Sequence, residues 1–200
     1  MKTIADLHIH SRFSMATSRE GTPENLDFWA RKKGISLIGT GDFTHPVWRE
    51  ELKERLVTEG NGLYRLRDEY VKEESRKFPG KGTRFVVSGE ISSIYKKNGK
   101  TRKVHNVILL PSLEAADAMA QRLEKIGNIH SDGRPILGLD SHDLLEMILD
   151  VCPEGILIPA HIWTPHFSVL GAKSGFDSVE ECFEELTTYV YALETGLSSD

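Results

Sequence analysis

The sequence predicts an α/β domain whose strands curl into a barrel-like sheet, and two observations lead to this prediction. The first is a strand, a helix and a second strand within residues 1–42, a pattern typical of a right-handed crossover between parallel strands. The second is that strand-like and helical stretches keep alternating along the sequence, with about six or seven strands in all. We therefore expect a barrel-like domain that lacks its last piece.

Capping residues and hydrophobic periodicity define the individual elements. Thr22 and Pro23 are typical of a helix start and Gly34 of a helix end, and Ser112 is expected to cap a helix with an apolar stripe over 112–126. The pair Asn98-Gly99 predicts a tight hairpin. The other expected strands are 3–10, 35–42, 84–91, 104–110, 155–163 and 189–196, and the other expected helices are 48–56, 63–78, 144–151 and 179–186.

Composition indicates one globular domain over residues 1–200. The chain is 39% hydrophobic and 28% charged, with a formal charge of −5, which disfavours a general nucleic-acid binder. No apolar run approaches about 18 residues and the N-terminus has no signal-peptide pattern, so a cytoplasmic protein without a membrane partner is expected. Cys152 and Cys182 stand alone in unlike contexts and are expected to be buried, reduced thiols.

The first strand ends in a pair of histidines, His8 and His10. Side chains two residues apart point to the same side of a strand, so both imidazoles are expected to project together. Two imidazoles on rigid backbone predict part of a metal site. The alternative is a strand end with two solvent-facing histidines.

Four more side chains that ligate metals stand at or near the ends of other strands: Asp42, Glu90, His105 and His161. With the histidine pair they exceed what one structural zinc needs, so two or three divalent ions are predicted. A mixed nitrogen and oxygen set suits zinc, manganese or iron, and zinc is the first choice. Glu90 is the expected bridging ligand. Clustered ions of this kind predict phosphoester hydrolysis by water that the ions activate.

Each of these residues also has a purely structural interpretation. Asp42 could cap the turn that follows it, His105 could be a surface residue of the sheet, and His161 could be a core histidine. The remaining histidines are interpreted as loop, cap or pocket-lining residues outside the predicted metal set: His45, His130, His142 and His166.

Five basic residues surround the expected hairpin turn between Glu90 and His105. A basic finger beside a metal site is typical of contacts with nucleic-acid phosphates, although a solubilising hairpin tip has the same pattern. Arg12, after the histidine pair, is the candidate for holding the scissile phosphate through its planar fork. The candidate nucleic-acid contacts are Lys96, Lys97, Lys100, Arg102 and Lys103.

Five motifs resemble those of the polymerase-and-histidinol-phosphatase (PHP) superfamily, in the same order and across nearly the whole chain. They are DLHIHS (6–11), GTGD (39–42), GEI (89–91), HN (105–106) and AHIW (160–163). More narrowly, three stretches are similar to the N-terminal part of the endonuclease Q family. These are HSRFS (10–14), GTGDFTHP (39–46) and ETGLSSD (194–200).

The resemblance implies a fold, an activity and a set of ligands. The superfamily has a distorted seven-stranded β/α barrel with a trinuclear metal site and hydrolyses phosphoesters, so this chain would be such a barrel truncated at its C-terminal end. Endonuclease Q enzymes nick DNA on the 5′ side of deaminated bases such as uracil and hypoxanthine, and at abasic sites. By the same resemblance, His8, His10 and Glu90 would hold one metal, and Glu90, His105 and His161 another.

The chain departs from the superfamily pattern at three places. Phe43 stands where many members have a ligating histidine, Ser14 and its neighbours replace an acidic or histidine ligand, and no Asp-x-His pair occurs near the end of the sequence. Asp200 lies in the region of that pair and is a candidate ligand. We expect these residues to be the first part of a longer enzyme, weakly active or inactive alone. The alternatives are a small-molecule phosphatase resembling histidinol phosphatase, and a degenerate domain that serves as a scaffold or binds DNA.

Overall fold

A curled mixed sheet forms half of a barrel in the computed structural model, which describes residues 3–80 and 82–196, and helices pack against it. The mixed α/β architecture confirms the predicted fold class. The strands of the described ranges are β1 (Ala5–Asp6), β2 (Leu37–Gly39), β3 (Leu56–Gly60), β4 (Leu63–Leu66), β5 (Arg84–Lys97), β6 (Lys100–Leu110), β7 (Ile136–Leu137) and β8 (Ile156–Pro159). The helices are α1 (Pro23–Lys33), α2 (Pro46–Arg55), α3 (Leu113–Glu124), α4 (Ser141–Val151) and α5 (Val179–Phe183).

The longest strand, β5, connects the two halves of the sheet. Its first residues pair in parallel with β2, with Arg84 opposite Leu37, and β2 pairs in parallel with β1. Along its length β5 pairs antiparallel with β6, and β6 pairs antiparallel with β8. Since β1, β2 and β8 all run in the direction of β5, the residues that follow these three strands come to the same end of the sheet.

The hairpin between β5 and β6 is closed by Asn98 and Gly99. Both have positive φ, 53° and 72°, which is the left-handed conformation that this kind of turn requires. Lys97 lies opposite Lys100 across the turn. The predicted tight hairpin is confirmed, and it places Glu90 and His105 on adjoining strands.

The capping predictions are confirmed as well. The hydroxyl of Thr22 accepts a hydrogen bond from the N–H of Asn25, and Gly34 ends α1 with a φ of 72°. Ser112 accepts from the N–H of Ala115 at the start of α3. The apolar stripe of α3 lies in the hydrophobic core: Leu113, Ala116, Met119, Ala120 and Leu123.

The predicted helix over 63–78 is wrong. This segment begins with β4, which pairs with β3 through a turn at Gly60-Asn61-Gly62, where all three residues have positive φ. Two short 3-10 turns follow, Asp68–Tyr70 and Glu74–Lys77. The charged composition is compatible with a helix, but pairing with β5 and burial of alternate β4 residues, Tyr64 and Leu66, decide the structure.

The end of the described chain also differs from the prediction. The expected helix over 179–186 ends at Phe183 and continues as a 3-10 turn, Glu184–Tyr189. The expected strand over 189–196 is absent from the described ladder, although the N–H of Glu194 donates to the carbonyl of Pro159 at 3.1 Å. Asp200, the candidate late ligand, lies outside the described residues.

The remaining expectations about burial hold. Cys152 and Cys182 are free and buried, as predicted. The buried aromatic residues of the core include Phe43, Trp48, Phe85 and Phe183, all with 0% exposure. Within the described ranges, no helix combines the length and the apolar character needed to cross a membrane.

Candidate metal centre

Glu90 lies within β5, only 2% exposed, and two histidines approach it from the end of β1. The Nε2 atom of His8 lies 3.5 Å from Oε1 of Glu90, and the Nε2 atom of His10 lies 3.3 Å from Oε2. The two rings are 5.6 Å apart between centroids. The structure therefore brings the predicted pair to the predicted bridging carboxylate.

Two more histidines reach the same carboxylate from β6 and from the end of β8. His105 is paired with Ser92, two residues from Glu90, so it lies diagonally across the hairpin on the same face. Its Nδ1 is 2.7 Å from Oε1 of Glu90, and Nε2 of His161 is 3.6 Å from that oxygen. Two groups of three donor atoms thus share Glu90: His8, His10 and Glu90 form one, and Glu90, His105 and His161 form the other.

Oxygen partners orient three of the four rings. The Nδ1 atom of His8 lies 2.8 Å from Oε1 of Glu194, and Nδ1 of His10 lies 3.1 Å from Oδ1 of Asp42. Nδ1 of His161 lies 2.9 Å from the hydroxyl of Thr164. In a neutral imidazole whose Nδ1 donates to an oxygen, Nε2 keeps its lone pair, and in all three rings Nε2 faces Glu90. Imidazoles that ligate metals in proteins are usually held in this way.

The donor set fits divalent ions that accept both nitrogen and oxygen. Atoms that share a tetrahedral zinc at about 2.1 Å lie about 3.4 Å apart, and the contacts between Glu90 and the four imidazoles span 2.7 to 3.6 Å. Oε1 of Glu90 is buried and accepts no hydrogen bond of good geometry from the described residues, although three imidazole nitrogens lie within 3.6 Å of it. A buried carboxylate oxygen is costly without a partner. An ion held between Glu90 and the histidines would satisfy it.

The electrostatics of the cluster favour cations. Burial opposes the charged form of His8, but contacts with Glu194 and Glu90 outweigh burial and raise its pKa to about 10. Burial likewise opposes charge on His10, while Asp42 and Glu90 raise its pKa to about 9. Burial alone would raise the pKa of Glu90, but the surrounding imidazoles lower it far below its usual range. Glu90 therefore stays ionised, and protons and metal ions compete for the histidine nitrogens.

The structure places Asp42, predicted as a ligand, behind His10 rather than among the donor atoms that face Glu90. Its Oδ2 accepts hydrogen bonds from the N–H and the hydroxyl of Ser11 at 2.8 and 2.6 Å, while Oδ1 contacts His10. Asp42 is fully buried with a φ of 51°. A Cβ atom on Gly133 would lie 2.3 Å from this carboxylate, so only glycine fits there. The geometry assigns Asp42 to orienting His10.

Glu194 is a site residue that the sequence analysis did not single out. Besides contacting His8, it accepts a hydrogen bond from the backbone N–H of His161 at 2.7 Å through Oε2. One carboxylate thus ties a ligand of the first group to the backbone of a ligand of the second. The available signal was a carboxylate after the apolar stretch 189–193, the pattern that identified Glu90.

Arg12, predicted to hold the scissile phosphate, is engaged elsewhere. Its Nη2 donates to Oε2 of Glu51 on α2 at 2.6 Å, and its guanidinium lies 5.1 Å from the ring centroid of Phe13. The arginine in contact with the cluster is Arg134, whose Nη1 is 3.4 Å from Oε2 of Glu90.

The basic hairpin is only partly available for a nucleic acid. Lys96 and Lys100 are exposed and Lys103 is half-buried. Lys97 pairs with acidic side chains of its own chain, at 2.7 Å from Glu184. Arg102 is 3% exposed, and its guanidinium contacts the carbonyl of Gly175 and, at 3.1 Å, the carboxylate of Glu181. The prediction that Arg102 contacts a nucleic acid is corrected, because its buried guanidinium instead holds the hairpin against the segment 175–181.

Phe43, where many superfamily members have a ligating histidine, is a core residue. A Cβ atom on Gly89 would lie 2.7 Å from its ring, so the aromatic side chain packs directly over β5. His45, two residues later, is 7% exposed and stacks on Phe13 at 4.2 Å between ring centroids.

The remaining histidines lie outside the two groups around Glu90. His130 pairs with Glu124 at 2.6 Å on the surface, and His166 is exposed. His142 lies near Glu184 and Glu185 in a third group of possible ligands, whose acidic members are exposed.

Two proteins of known sequence are similar to this chain. An uncharacterised protein of Methanocaldococcus jannaschii is 33% identical over 175 residues, which are 87% of this chain and 18% of that protein. The uncharacterised protein YqxK of Bacillus subtilis is 29% identical over 214 residues, which cover 100% of this chain and 49% of YqxK. The chain thus spans about half or less of these relatives. No protein-family model matches it.

Solved structures are similar over nearly the whole chain. The lesion-specific endonuclease Q of Pyrococcus furiosus has a TM-score of 0.78 and 27% identity, over 99% of this chain and 43% of its own. Endonuclease Q in complex with a 27-mer duplex with an abasic lesion at the active site has a TM-score of 0.75 and 28% identity, over 98% and 43%.

A third structure shares the fold alone. It is a Bifidobacterium adolescentis protein named as a metal-dependent phosphoesterase, with a TM-score of 0.58 and 14% identity over 96% of this chain and 77% of its own. The two endonuclease Q structures carry the closer relationship, because they combine the same fold with recognisable sequence identity. The chain is therefore similar to endonuclease Q in both fold and sequence, which supports its resemblance to the PHP superfamily.

Proposed function

We propose that this chain is the metal-binding catalytic part of an endonuclease Q-like enzyme, a phosphodiesterase that nicks damaged DNA. The observation that carries the proposal is the position of Glu90, a buried carboxylate in contact with four imidazoles from three separate parts of the chain. A structural zinc needs four ligands at one ion, whereas this arrangement offers two groups around one shared ligand. Shared carboxylates are typical of hydrolytic centres with more than one ion.

The roles of the residues follow from their contacts. Glu90 would bridge, His8 and His10 would hold one ion, and His105 and His161 the other, while Asp42 and Glu194 fix the rings. Zinc is the first choice, with manganese or iron as alternatives. When bound, such ions activate water near neutral pH and neutralise charge on a phosphoryl group. The rigid strands that carry the ligands keep the site assembled before substrate arrives.

DNA is the proposed substrate class for two reasons. One endonuclease Q structure holds a duplex with an abasic lesion at its active site, and this chain matches that structure over 98% of its length. The exposed lysines of the hairpin, Lys96 and Lys100, stand on the two strands that also carry Glu90 and His105. We propose abasic sites and the deaminated bases uracil and hypoxanthine as the lesions, with cleavage on their 5′ side.

The test combines metal content with cleavage. Elemental analysis of the 200-residue chain should give two or more equivalents of a divalent metal, and Glu90→Gln should lose them. The control Glu146→Gln, at an exposed position of α4 outside the groups of possible metal ligands, should keep them. Cleavage is then measured on duplexes with one uracil, hypoxanthine or abasic site, beside an undamaged duplex and a phosphomonoester.

The outcomes separate the candidate functions. Nicking of damaged duplexes that Glu90→Gln abolishes supports the proposal. Hydrolysis of the monoester without nicking would replace it by a small-molecule phosphatase. Binding of damaged DNA without cleavage at any divalent metal would indicate a degenerate domain.

A further inference from the structure

Arg134 is the cation in contact with the shared carboxylate of the candidate metal centre. Its Nη1 lies 3.4 Å from Oε2 of Glu90, and its side chain is 36% exposed, whereas that of Glu90 is 1% exposed. Among the described residues, Glu90 has no other lysine or arginine within ion-pair distance. The guanidinium therefore contacts the buried cluster while its side chain remains accessible to solvent.

The loop that carries Arg134 is anchored by hydrogen bonds to the segments that follow β1 and β2. The N–H of Gly133 donates to the carbonyl of Phe13 at 2.9 Å, and the carbonyl of Gly133 accepts from the hydroxyl of Thr44 at 3.1 Å. The N–H of Arg134 itself donates to the side chain of Asp132 at 2.9 Å. Because these contacts fix the backbone next to Arg134, only its side-chain torsions need to be ordered when a ligand binds.

Arg134 has hydrogen-bonding capacity to spare. A guanidinium carries five N–H donors, and the side chain of Arg134 makes one long contact, to Glu90, among the described residues. The attraction between Glu90 and Arg134 would also be weak, since Glu90 would share its negative charge with divalent ions. A phosphoryl oxygen offers the guanidinium an uncompensated anion with matching geometry.

We propose that Arg134 is a catalytic residue that binds a non-bridging oxygen of the substrate phosphoryl group. This inference rests on the proposed phosphoesterase function and names the residue that performs the role the sequence assigned to Arg12. Arg12 is tied to Glu51 at 2.6 Å, a short ion pair with a carboxylate that is 7% exposed. Binding of a phosphoryl group by Arg134 would break only its 3.4 Å contact with Glu90.

The test measures phosphate binding separately from turnover. The metal-loaded 200-residue chain is titrated with inorganic phosphate by calorimetry, and its metal content is determined on the same samples. Arg134→Ala should weaken phosphate binding about ten- to hundredfold, the range for loss of a charge-assisted hydrogen bond, with metal content unchanged. The phosphate affinity of Arg134→Lys should lie between those of the wild type and Arg134→Ala, because lysine keeps the charge but lacks the planar guanidinium fork.

Arg122→Ala is the matched control. Arg122 is 47% exposed on α3 and has its Nη1 3.4 Å from a carboxylate, Asp150, so it is a similarly exposed arginine with the same contact distance away from the cluster. Its substitution should leave phosphate binding unchanged.

Two results would overturn the inference. Equal phosphate affinity in wild type and Arg134→Ala would show that Arg134 does not bind the phosphoryl group. Loss of metal in Arg134→Ala would show that it serves to position Glu90. Failure of the wild type to nick damaged DNA, with the phosphate effect intact, would overturn the DNA substrate and leave the role of Arg134 standing.

Discussion

Asp42 and His10 are joined by a 3.1 Å contact between Oδ1 and Nδ1, which leaves Nε2 of His10 facing Glu90. Loss of such a carboxylate partner typically costs about 10- to 100-fold in metal affinity. We therefore expect Asp42→Asn to weaken metal binding by this factor and to recover full stoichiometry at high metal concentration. His10→Ala should lower the stoichiometry itself. Metal titration of both variants makes the comparison, and equal loss of stoichiometry would identify Asp42 as a direct ligand.

Glu194 should affect both groups of ligands at once. It contacts Nδ1 of His8 at 2.8 Å and accepts from the N–H of His161 at 2.7 Å. Glu194→Gln keeps the shape and removes the charge, so we expect weaker binding of two ions, by about 10-fold or more for each. Glu146→Gln, at an exposed glutamate of α4 outside the groups of possible metal ligands, is the control. A change confined to one ion would contradict the double role.

The parts of the fold that were predictable are those set by neighbours in the sequence. The turn at Asn98-Gly99 and the cap at Ser112 depend on residues within a few positions, and both follow from local backbone preferences. Residues 63–78 were not predictable in this way. Their charged composition suits a solvated helix, whereas the structure depends on pairing of β4 with β5.

The same difference between local patterns and contacts distant in the sequence applies to the residues of the candidate site. His8, His10, Glu90 and His161 could be found because each follows or occupies an apolar strand pattern. The function of Glu194 could not be found, because its partner His8 is 186 residues away along the chain. Burial of Arg102 was equally hidden, since its acceptors lie in the segment 175–181.

Stability of the metal-free chain should depend on pH through two histidines. The pKa of His8 is raised to about 10 and that of His10 to about 9, from 6.5. Raised pKa values stabilise the folded state fully below the unfolded pKa, and this contribution is lost as pH rises through the folded values. The free energy of unfolding after chelation should therefore fall between about pH 6.5 and pH 10.

Zinc should reverse this trend, because deprotonation frees the imidazole nitrogens for the metal. Urea unfolding at about pH 6.5, 8 and 9.5, with chelator and with zinc, measures both slopes. The variant with His8→Gln and His10→Gln is the control and should lose most of the slope in each condition. A metal-free wild type whose stability does not change over this range would contradict the assignment.

Restoring the usual superfamily histidine at position 43 should not create a ligand. Phe43 is fully buried and packs over Gly89 within the core. Phe43→His would bury an imidazole without a partner and lose apolar packing, at a cost of about 3 kcal/mol or more in the free energy of unfolding. Metal content should stay unchanged. A gain of one metal equivalent would show that this side chain can reach the cluster.

The hairpin lysines should contribute to DNA affinity through phosphates alone. Lys96 and Lys100 are exposed and Lys103 is half-buried, whereas Lys97 and Arg102 are paired within the chain. Substituting the first three by glutamine should weaken binding to damaged and undamaged duplexes alike. Each phosphate contact contributes about −0.9 to the slope of log K against log salt. Loss of three contacts should therefore make the slope less steep by up to about 2.7.

Two controls show whether this effect belongs to the hairpin finger. Lys77→Gln with Lys125→Gln removes two exposed charges elsewhere on the surface and should change the slope little. Arg102→Met should lower stability rather than the slope, because Arg102 anchors the hairpin through Gly175 and Glu181. If the triple variant keeps the wild-type slope, the lysines are a solubilising hairpin tip. The DNA backbone would then have to follow another path to Glu90.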